Sequence, residues 1–359
     1  MDNSIVPVTK SFFPPIEEYF NYVRRIYENR WLTNRGELTL ELESKLKTFL
    51  NVNNILITNN GTIPIQLALN LFGNESEIIT TPYSYVATTS AIIWEKCKPV
   101  FVDINEDYLT IDETKIESAI TNKTTCILAT HVYGNPCNIY EIERIAKKHN
   151  LIVIYDAAHC FGVEFDNKSV FKYGDVSTCS FHATKIFHTA EGGALFCNDD
   201  EVFQKLYYRH NFGHKNELEF HGVGINAKIS ELNAAMGLTV FNHFDFILDA
   251  RKKIIERYDS LLNFNKFRTI KIRENTKWNY SYYPIIFESI EELNNKLLLL
   301  NESNIFPRRY FNPSLNTLPY IEYVNMPISE KIALRVICLP LYVELSFDQQ
   351  DIIIKIINE

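Results

Sequence analysis

Lys185 is the residue whose surroundings suggest chemistry first. It lies in Ser180-Phe181-His182-Ala183-Thr184-Lys185-Ile186-Phe187-His188-Thr189-Ala190-Glu191-Gly192-Gly193, between two apolar runs, Val176–Phe181 and Ala194–Cys197, that read as buried strands. The paired glycines behind it let backbone pass close to whatever occupies the turn. A lysine held among apolar neighbours loses stabilisation of its charge. Its pKa falls, and its amine becomes a nucleophile suited to a Schiff base. The alternative is a surface lysine that lays its stem along apolar ground and keeps its ammonium in water.

Other residues bear on that choice. Open parallel sheets bind ligands beyond the carboxyl ends of their strands. After Ile55–Thr58 comes Asn59-Asn60-Gly61-Thr62 and then a helical pattern. Backbone N–H groups at a helix start favour an anion, and Gly61 lets a phosphate approach; a plain strand-to-helix turn is the other reading. Tyr85, in Thr81-Pro82-Tyr83-Ser84-Tyr85-Val86-Ala87-Thr88, could stack on a flat ring or pack in the core. The run Leu151–Tyr155 ends in Asp156-Ala157-Ala158-His159. A carboxylate placed there is costly to bury without a partner, and a cationic ring nitrogen would be one. His159 could hold Asp156 or a ring hydroxyl, or be a structural histidine. A Schiff-base lysine, a carboxylate, an anion nest and a flat aromatic are together what pyridoxal 5'-phosphate (PLP) requires, with Asp156 keeping the pyridine nitrogen protonated so that the ring acts as an electron sink.

These residues need a scaffold, and the apolar rhythm describes one. Residues 1 to about 14 read as an arm, followed by helical spacing from Ile16 through Tyr27 and again through Leu38, Leu42, Leu46 and Phe49. Short apolar runs then recur at Ile55–Thr58, Ile78–Thr81, Pro99–Ile104, Cys126–Val132, Leu151–Tyr155, Val176–Phe181 and Ala194–Cys197. Helical patterns separate several of them, which implies an α/β fold: a large domain with a mostly parallel seven-stranded sheet between helices. A long helical pattern from Ile229 through Leu262 leads into a smaller C-terminal α+β domain. The division expected is 1–30 for the arm and first helix, 31–240 for the large domain and 241–359 for the small one.

Composition narrows the function. The 359 residues carry a net charge of −8, which argues against a nucleic-acid binder. Seven cysteines are scattered through apolar runs with no close pairs, so neither a disulfide framework nor a metal site is expected. No run approaches the roughly 18 to 20 apolar residues of a membrane span. The N-terminus lacks a basic stretch followed by an apolar one, and a cytoplasmic protein is expected.

The sequence is similar to the DegT/DnrJ/StrS family of nucleotide-sugar aminotransferases, which are fold-type I PLP enzymes. The motifs that carry the resemblance span nearly the whole chain: Trp31-Leu32-Thr33-Asn34, Asn60-Gly61-Thr62, Thr81–Thr88, Asp156–His159, Ser180–Lys185, Glu191-Gly192-Gly193, Gly222–Glu231 and Arg308-Arg309-Tyr310-Phe311. The resemblance implies that Lys185 is the Schiff-base lysine and proton shuttle, that Asp156 pairs with the pyridine nitrogen, and that His159 assists at the same centre. It implies phosphate contacts from Ser180, Gly61 and Thr62, with Tyr85 stacked on the ring where many relatives have Phe. Asn226 would reach the phosphate of a neighbouring subunit, making a homodimer with shared active sites; a helix cap is the alternative role for it. Asn135, His188 and Tyr310 would line the sugar-nucleotide cleft. The substrates implied are L-glutamate and a nucleotide-linked 4-keto-6-deoxy sugar, dTDP-linked by the form of the lysine motif, for O-antigen or another surface glycan.

Three other readings fit the sequence less well. Dehydratases of the same family carry His where this chain has Lys185. Cysteine desulfurases need a mobile loop cysteine, whereas Cys338 lies in the strand-like Val336–Leu339. A non-catalytic PLP-binding regulator would ordinarily bring a DNA-binding module as well.

Overall fold

The computed structural model describes residues 5–359. Seven strands form the main sheet: β1 (Asn54–Thr58), β2 (Glu77–Thr80), β3 (Lys98–Phe101), β4 (Thr124–Thr130), β5 (Ile152–Asp156), β6 (Val176–Ser180) and β7 (Gly193–Cys197). Their spatial order is β1-β7-β6-β5-β4-β2-β3. Every pairing is parallel except those of β7, which runs antiparallel to β1 and β6. The strands are apolar nearly throughout because helices cover both faces. On one face Ile57, Ile127, Tyr155 and Phe196 of the sheet cluster with Leu42 and Leu46 of helix Glu37–Phe49 and with Leu238 of helix Glu231–Phe241. On the other, Ile78, Leu128, Ile154 and Leu195 cluster with Ile65 and Leu69 of helix Thr62–Phe72 and with Ala91 and Ile92 of helix Val86–Trp94.

A second, three-stranded antiparallel sheet is built from β8 (Phe267–Thr269), β9 (Tyr283–Phe287) and β10 (Val336–Leu339), in the order β8-β9-β10. Helices Ile290–Glu302 and Phe347–Asn358 pack on it. The N-terminal arm joins this sheet's side of the molecule: Val6 pairs with Ile305 and Pro7 with Phe306. The helical pattern over 229–262 is two helices, Glu231–Phe241 and Phe244–Leu261, broken at Asn242-His243. The first is apolar and small-residued on most of its surface and is buried deeply, whereas the second has one buried stripe and a charged face. A single straight axis would not serve both environments.

Buried polar groups tie these parts together. Asp103, just past β3, accepts the backbone N–H groups of Ile328 and Ser329 and so caps helix Pro327–Ala333. Glu231 does the same for helix Glu37–Phe49, accepting from the N–H of Leu38 at 2.7 Å and of Thr39 at 3.1 Å. Its side chain is 2% exposed, so these donors have no water to turn to. Replacing Glu231 with Ala should therefore lower unfolding stability by about 2–3 kcal/mol. Chemical denaturation should report this as a lower midpoint at an unchanged slope; a midpoint within experimental error of wild type would show that the cap carries little of the packing.

Candidate active site

A cavity of about 310 Å³ opens at the carboxyl ends of the parallel strands. Its wall includes Gly61 and Thr62 after β1, Tyr85 after β2, Asp156 and His159 at the end of β5, Ser180 at the end of β6, and Lys185 from the loop between β6 and β7. Tyr310 lines it from the far side. Eight of the residues expected from the sequence thus meet in one place, brought there by parallel strands that all end on the same edge of the sheet.

Asp156 is the last residue of β5 and is buried. Its Oδ2 accepts from the Thr88 hydroxyl at 2.6 Å and its Oδ1 from the Ala158 N–H at 3.1 Å. The Thr88 hydrogen is committed to Asp156, so its oxygen accepts from Ser84 at 2.9 Å, and Ser84 in turn accepts from Thr130 at 3.0 Å. Three hydroxyls thus run in series into the carboxylate. Burial pushes the Asp156 carboxyl pKa upward, opposed by the Thr88 and Ala158 hydrogen bonds and by Lys185. A cation placed against this group would be held strongly.

Lys185 is half-buried, and no carboxylate among the described residues forms an ion pair with it. Its Nζ donates to the Tyr282 hydroxyl at 3.3 Å. Burial lowers its pKa; Tyr310 and Asp156 oppose the shift only in part. His159 accepts the Tyr133 N–H at its Nδ1 at 3.0 Å, which leaves the ring proton on Nε2. Burial lowers this histidine's pKa well below its ordinary value, so the ring is neutral at pH 7. Its plane lies 2° from that of Phe311 and its centroid 4.7 Å from that of Tyr282.

The turn after β1 approaches β6 closely. A Cβ on Gly61 would come within 2.7 Å of the Ser180 Cβ, so only glycine fits. Asn60 Oδ1 accepts the N–H groups of Thr62 and Ile63, both at 2.9 Å. The groups this turn still offers an anion are therefore the Gly61 N–H and the hydroxyls of Thr62 and Ser180. Tyr85 precedes helix Val86–Trp94 with its ring 58% exposed at the cavity mouth.

Three expected residues lie elsewhere. Asn135 is fully buried: its amide donates to the carbonyls of Tyr108 and Lys271 and accepts from the N–H of Arg273, so it fastens two loops and has nothing left for a substrate. His188 is buried, bonding the Phe12 carbonyl through Nε2 at 2.8 Å and the Ala190 N–H through Nδ1; it pins the N-terminal arm to the Lys185 loop. Asn226 is exposed, outside the cavity of its own chain, and bridges Asn211. It does not cap the following helix, because Ser230 does. Thr88, Tyr282 and Arg308 belong to the site and were not anticipated as site residues. Thr88 carried a weak signal, one helical turn after Tyr85; Tyr282 and Arg308 come from chain outside the main sheet, Tyr282 just before β9 and Arg308 just after the Ile305–Phe306 strand.

An amine held short of its charge, facing a buried carboxylate across a cavity with a close-approach glycine, defines a PLP-dependent enzyme of fold type I. The chain belongs to the DegT/DnrJ/EryC1/StrS aminotransferase family, which it matches over residues 15–358. It is 43% identical over 359 residues to the dTDP-4-amino-4,6-dideoxy-D-glucose transaminase of Shigella dysenteriae, covering 98% of each chain. It is 39% identical over 368 residues to the protein of the same name from Escherichia coli, covering 99% of this chain and 98% of the other. The crystal structure of DesI with its TDP-sugar product superposes with a TM-score of 0.93 at 26% identity, covering 100% of this chain and 93% of the other. The residues of the cavity fit PLP: Asp156 is a buried anion for a ring cation, Lys185 an unpaired amine, and Gly61 with Ser180 a cradle a side chain would fill.

The lowered Lys185 pKa has a measurable sign. Between its folded-state value and the ordinary 10.5, the unfolded chain binds more protons at this site than the folded one, so stability rises with pH across that window. Lys185→Met removes this proton linkage. Cofactor-free Lys185→Met should be more stable than cofactor-free wild type at pH 7, with the gap narrowing towards pH 10.5. Denaturation midpoints measured across that range test this; a gap that widens with pH would contradict it.

Proposed function

We propose that this aminotransferase moves the amino group of L-glutamate to C4 of a dTDP-linked 4-keto-6-deoxy-D-glucose, serving O-antigen or another surface glycan. The observation that carries the reading is the pairing of Lys185 with Asp156 across one cavity, in a chain so similar to two dTDP-4-amino-4,6-dideoxy-D-glucose transaminases. A 4-amino-4,6-dideoxy product requires a 4-keto-6-deoxy precursor.

The residues divide the work. When bound, PLP supplies an electron sink for the pair left on carbon as a proton departs. Asp156, steadied by the Thr88, Ser84 and Thr130 hydroxyls, holds the proton on the ring nitrogen. Gly61, Thr62 and Ser180 would hold the phosphate, Tyr85 would face the ring, and Lys185 would hold the cofactor through its amine. The same amine would take the proton from the donor's Cα and return one to C4 of the sugar, roles that its lowered pKa supports. Neutral His159, with its proton on Nε2, offers a donor at the cavity wall. Tyr310 is the substrate contact.

Purified protein assayed with L-glutamate against dTDP-, UDP- and GDP-linked keto sugars, with products identified by NMR, tests the reading. The expected product is the dTDP-linked 4-amino sugar. Amination at C3, or a preference for UDP or GDP, would correct the substrate; no amination of any of them would leave a PLP-binding protein of another kind.

The enzyme is proposed to work as a cytoplasmic homodimer. No helix among the described residues is long and apolar enough to cross a membrane, and all seven cysteines are free and buried. Asn226 ends a loop on which Phe212, Leu218, Phe220 and Val223 are 49%, 89%, 60% and 82% exposed. A second copy covering that loop would remove the apolar surface from water and carry Asn226 toward the partner's phosphate site. Lys185→Ala and Asn226→Ala should each be inactive. Mixed in equal amounts under subunit exchange, they should regain about a quarter of wild-type activity, from one working site in each mixed dimer. No recovery with exchange confirmed would keep Asn226 out of a shared site.

A further inference from the structure

The Tyr282 hydroxyl has one hydrogen-bond partner among the described residues, the Lys185 amine at 3.3 Å. The ring that carries this hydroxyl is boxed in. Its centre lies 4.7 Å from that of His159, and Tyr310 packs edge-on against it at 5.5 Å.

The backbone that bears the phenol is fixed from several directions. Tyr280, two residues earlier, has a φ of 57°, in the left-handed region that costs a residue with a side chain about 1–2 kcal/mol. Arg251, 6% exposed, donates to the carbonyls of Tyr280, Ser281 and Leu341 at 2.9, 2.5 and 2.8 Å and so holds that turn. Asn279 and Ser281 add bonds to the His159 carbonyl at 2.8 and 2.5 Å. Tyr283 then enters β9, paired with Leu339 of β10. What these bonds fix is the direction of one phenol.

We propose that Tyr282 is a positioning residue for the Lys185 amine in both of its proton transfers, and that Arg251 sets the place of Tyr282. The inference rests on the aminotransferase reading. In the first transfer the nitrogen's lone pair takes the proton from the donor's Cα, and the carbon keeps the electron pair. In the second the nitrogen gives a proton to C4 of the sugar and regains its lone pair. Lys185 must do both from a flexible stem with about 2 kcal/mol of rotamer entropy, and a misplacement of about 1 Å can cost a factor of about 100 in rate. The phenol oxygen accepts an N–H whether the nitrogen carries two protons or three, which leaves the lone pair or another proton for the reacting carbon. Burial raises the phenol's pKa, so the hydroxyl keeps its own proton throughout.

Tyr282→Phe keeps the ring and removes only the oxygen. Holoenzyme is mixed with L-glutamate alone, and the aminated enzyme with dTDP-4-keto-6-deoxyglucose alone, following the cofactor's absorbance. Both saturating rates should fall about 10- to 100-fold, with half-saturating concentrations changed by less than about threefold. In the cofactor-free protein, Lys185 is trace-acetylated across pH and read by mass spectrometry. The midpoint of that profile should fall by about 0.5 to 1 pH unit, because an ammonium loses more than a neutral amine when the oxygen goes. The amine is then more available while the reaction is slower, which a charge effect alone would not produce. Arg251→Lys should slow both half-reactions in the wild-type background and by less than about twofold once Tyr282 is Phe. Unchanged rates in Tyr282→Phe, a loss confined to one half-reaction, or an unmoved acetylation midpoint would overturn the role of Tyr282; additive losses would overturn that of Arg251. A wild-type enzyme that aminates no keto sugar would overturn the aminotransferase reading and this role with it, a result distinct from slow transfer in the variant alone.

Discussion

A buried carboxylate and a desolvated amine share one cavity here without forming an ion pair. That arrangement is expensive in isolation, because each group has left water and neither fully compensates the other. The sheet makes it sustainable. Asp156 lies in register with Thr130 on one side and Thr178 on the other, so its backbone is fixed by two parallel neighbours. The hydroxyl series ending at Thr88 then fixes its side chain. Such a group is poised for a cation, and PLP carries one at its ring nitrogen.

The amine depends on a different part of the molecule. Lys185 meets Tyr282, which is carried on the chain entering β9 of the small sheet. That chain is held by Arg251, a buried guanidinium that donates to the carbonyls of Tyr280, Ser281 and Leu341. Asn279 and Ser281 bond the carbonyl of His159, which stitches the same segment to the end of β5. The cavity is therefore a joint product of both sheets: the large one supplies Asp156, Gly61 and Ser180, and the small one supplies the roof over Lys185. The arm reinforces the roof, pairing with Ile305-Phe306 at one end and bonded by His188 at the other.

Much of this was legible in the amino-acid order. The seven apolar runs are the seven strands of the main sheet, with ends displaced by a few residues at most. A strand buried on both faces is apolar along its own length, so the pattern is local. The strand-end rule then placed Gly61, Tyr85 and Asp156 on one edge, and the family resemblance added Ser180. Asn135 and His188 carry polar groups suited to a substrate, yet each is consumed by backbone partners far away in the chain. The helical pattern over 229–262 gave no sign of the turn at Asn242-His243, because both helices keep the same period while facing different surroundings.

Amino-acid order alone is enough for the class of fold, the edge of the sheet that binds, and the residue types at that edge: an amine, a carboxylate, a close-approach glycine and a flat aromatic. These follow from periodicity and from side-chain chemistry, both of which act within a few residues. What each of them touches is fixed by the packing of the folded chain. Thr88 finds Asp156 across 68 positions of sequence, and Lys185 finds Tyr282 across 97. Arg308 faces the cavity while Arg309 beside it is consumed by the carbonyls of Ala333 and Leu334. Such partnerships depend on how two sheets pack against each other. Packing is set by the sum of many distant contacts, and no local pattern in the chain records it.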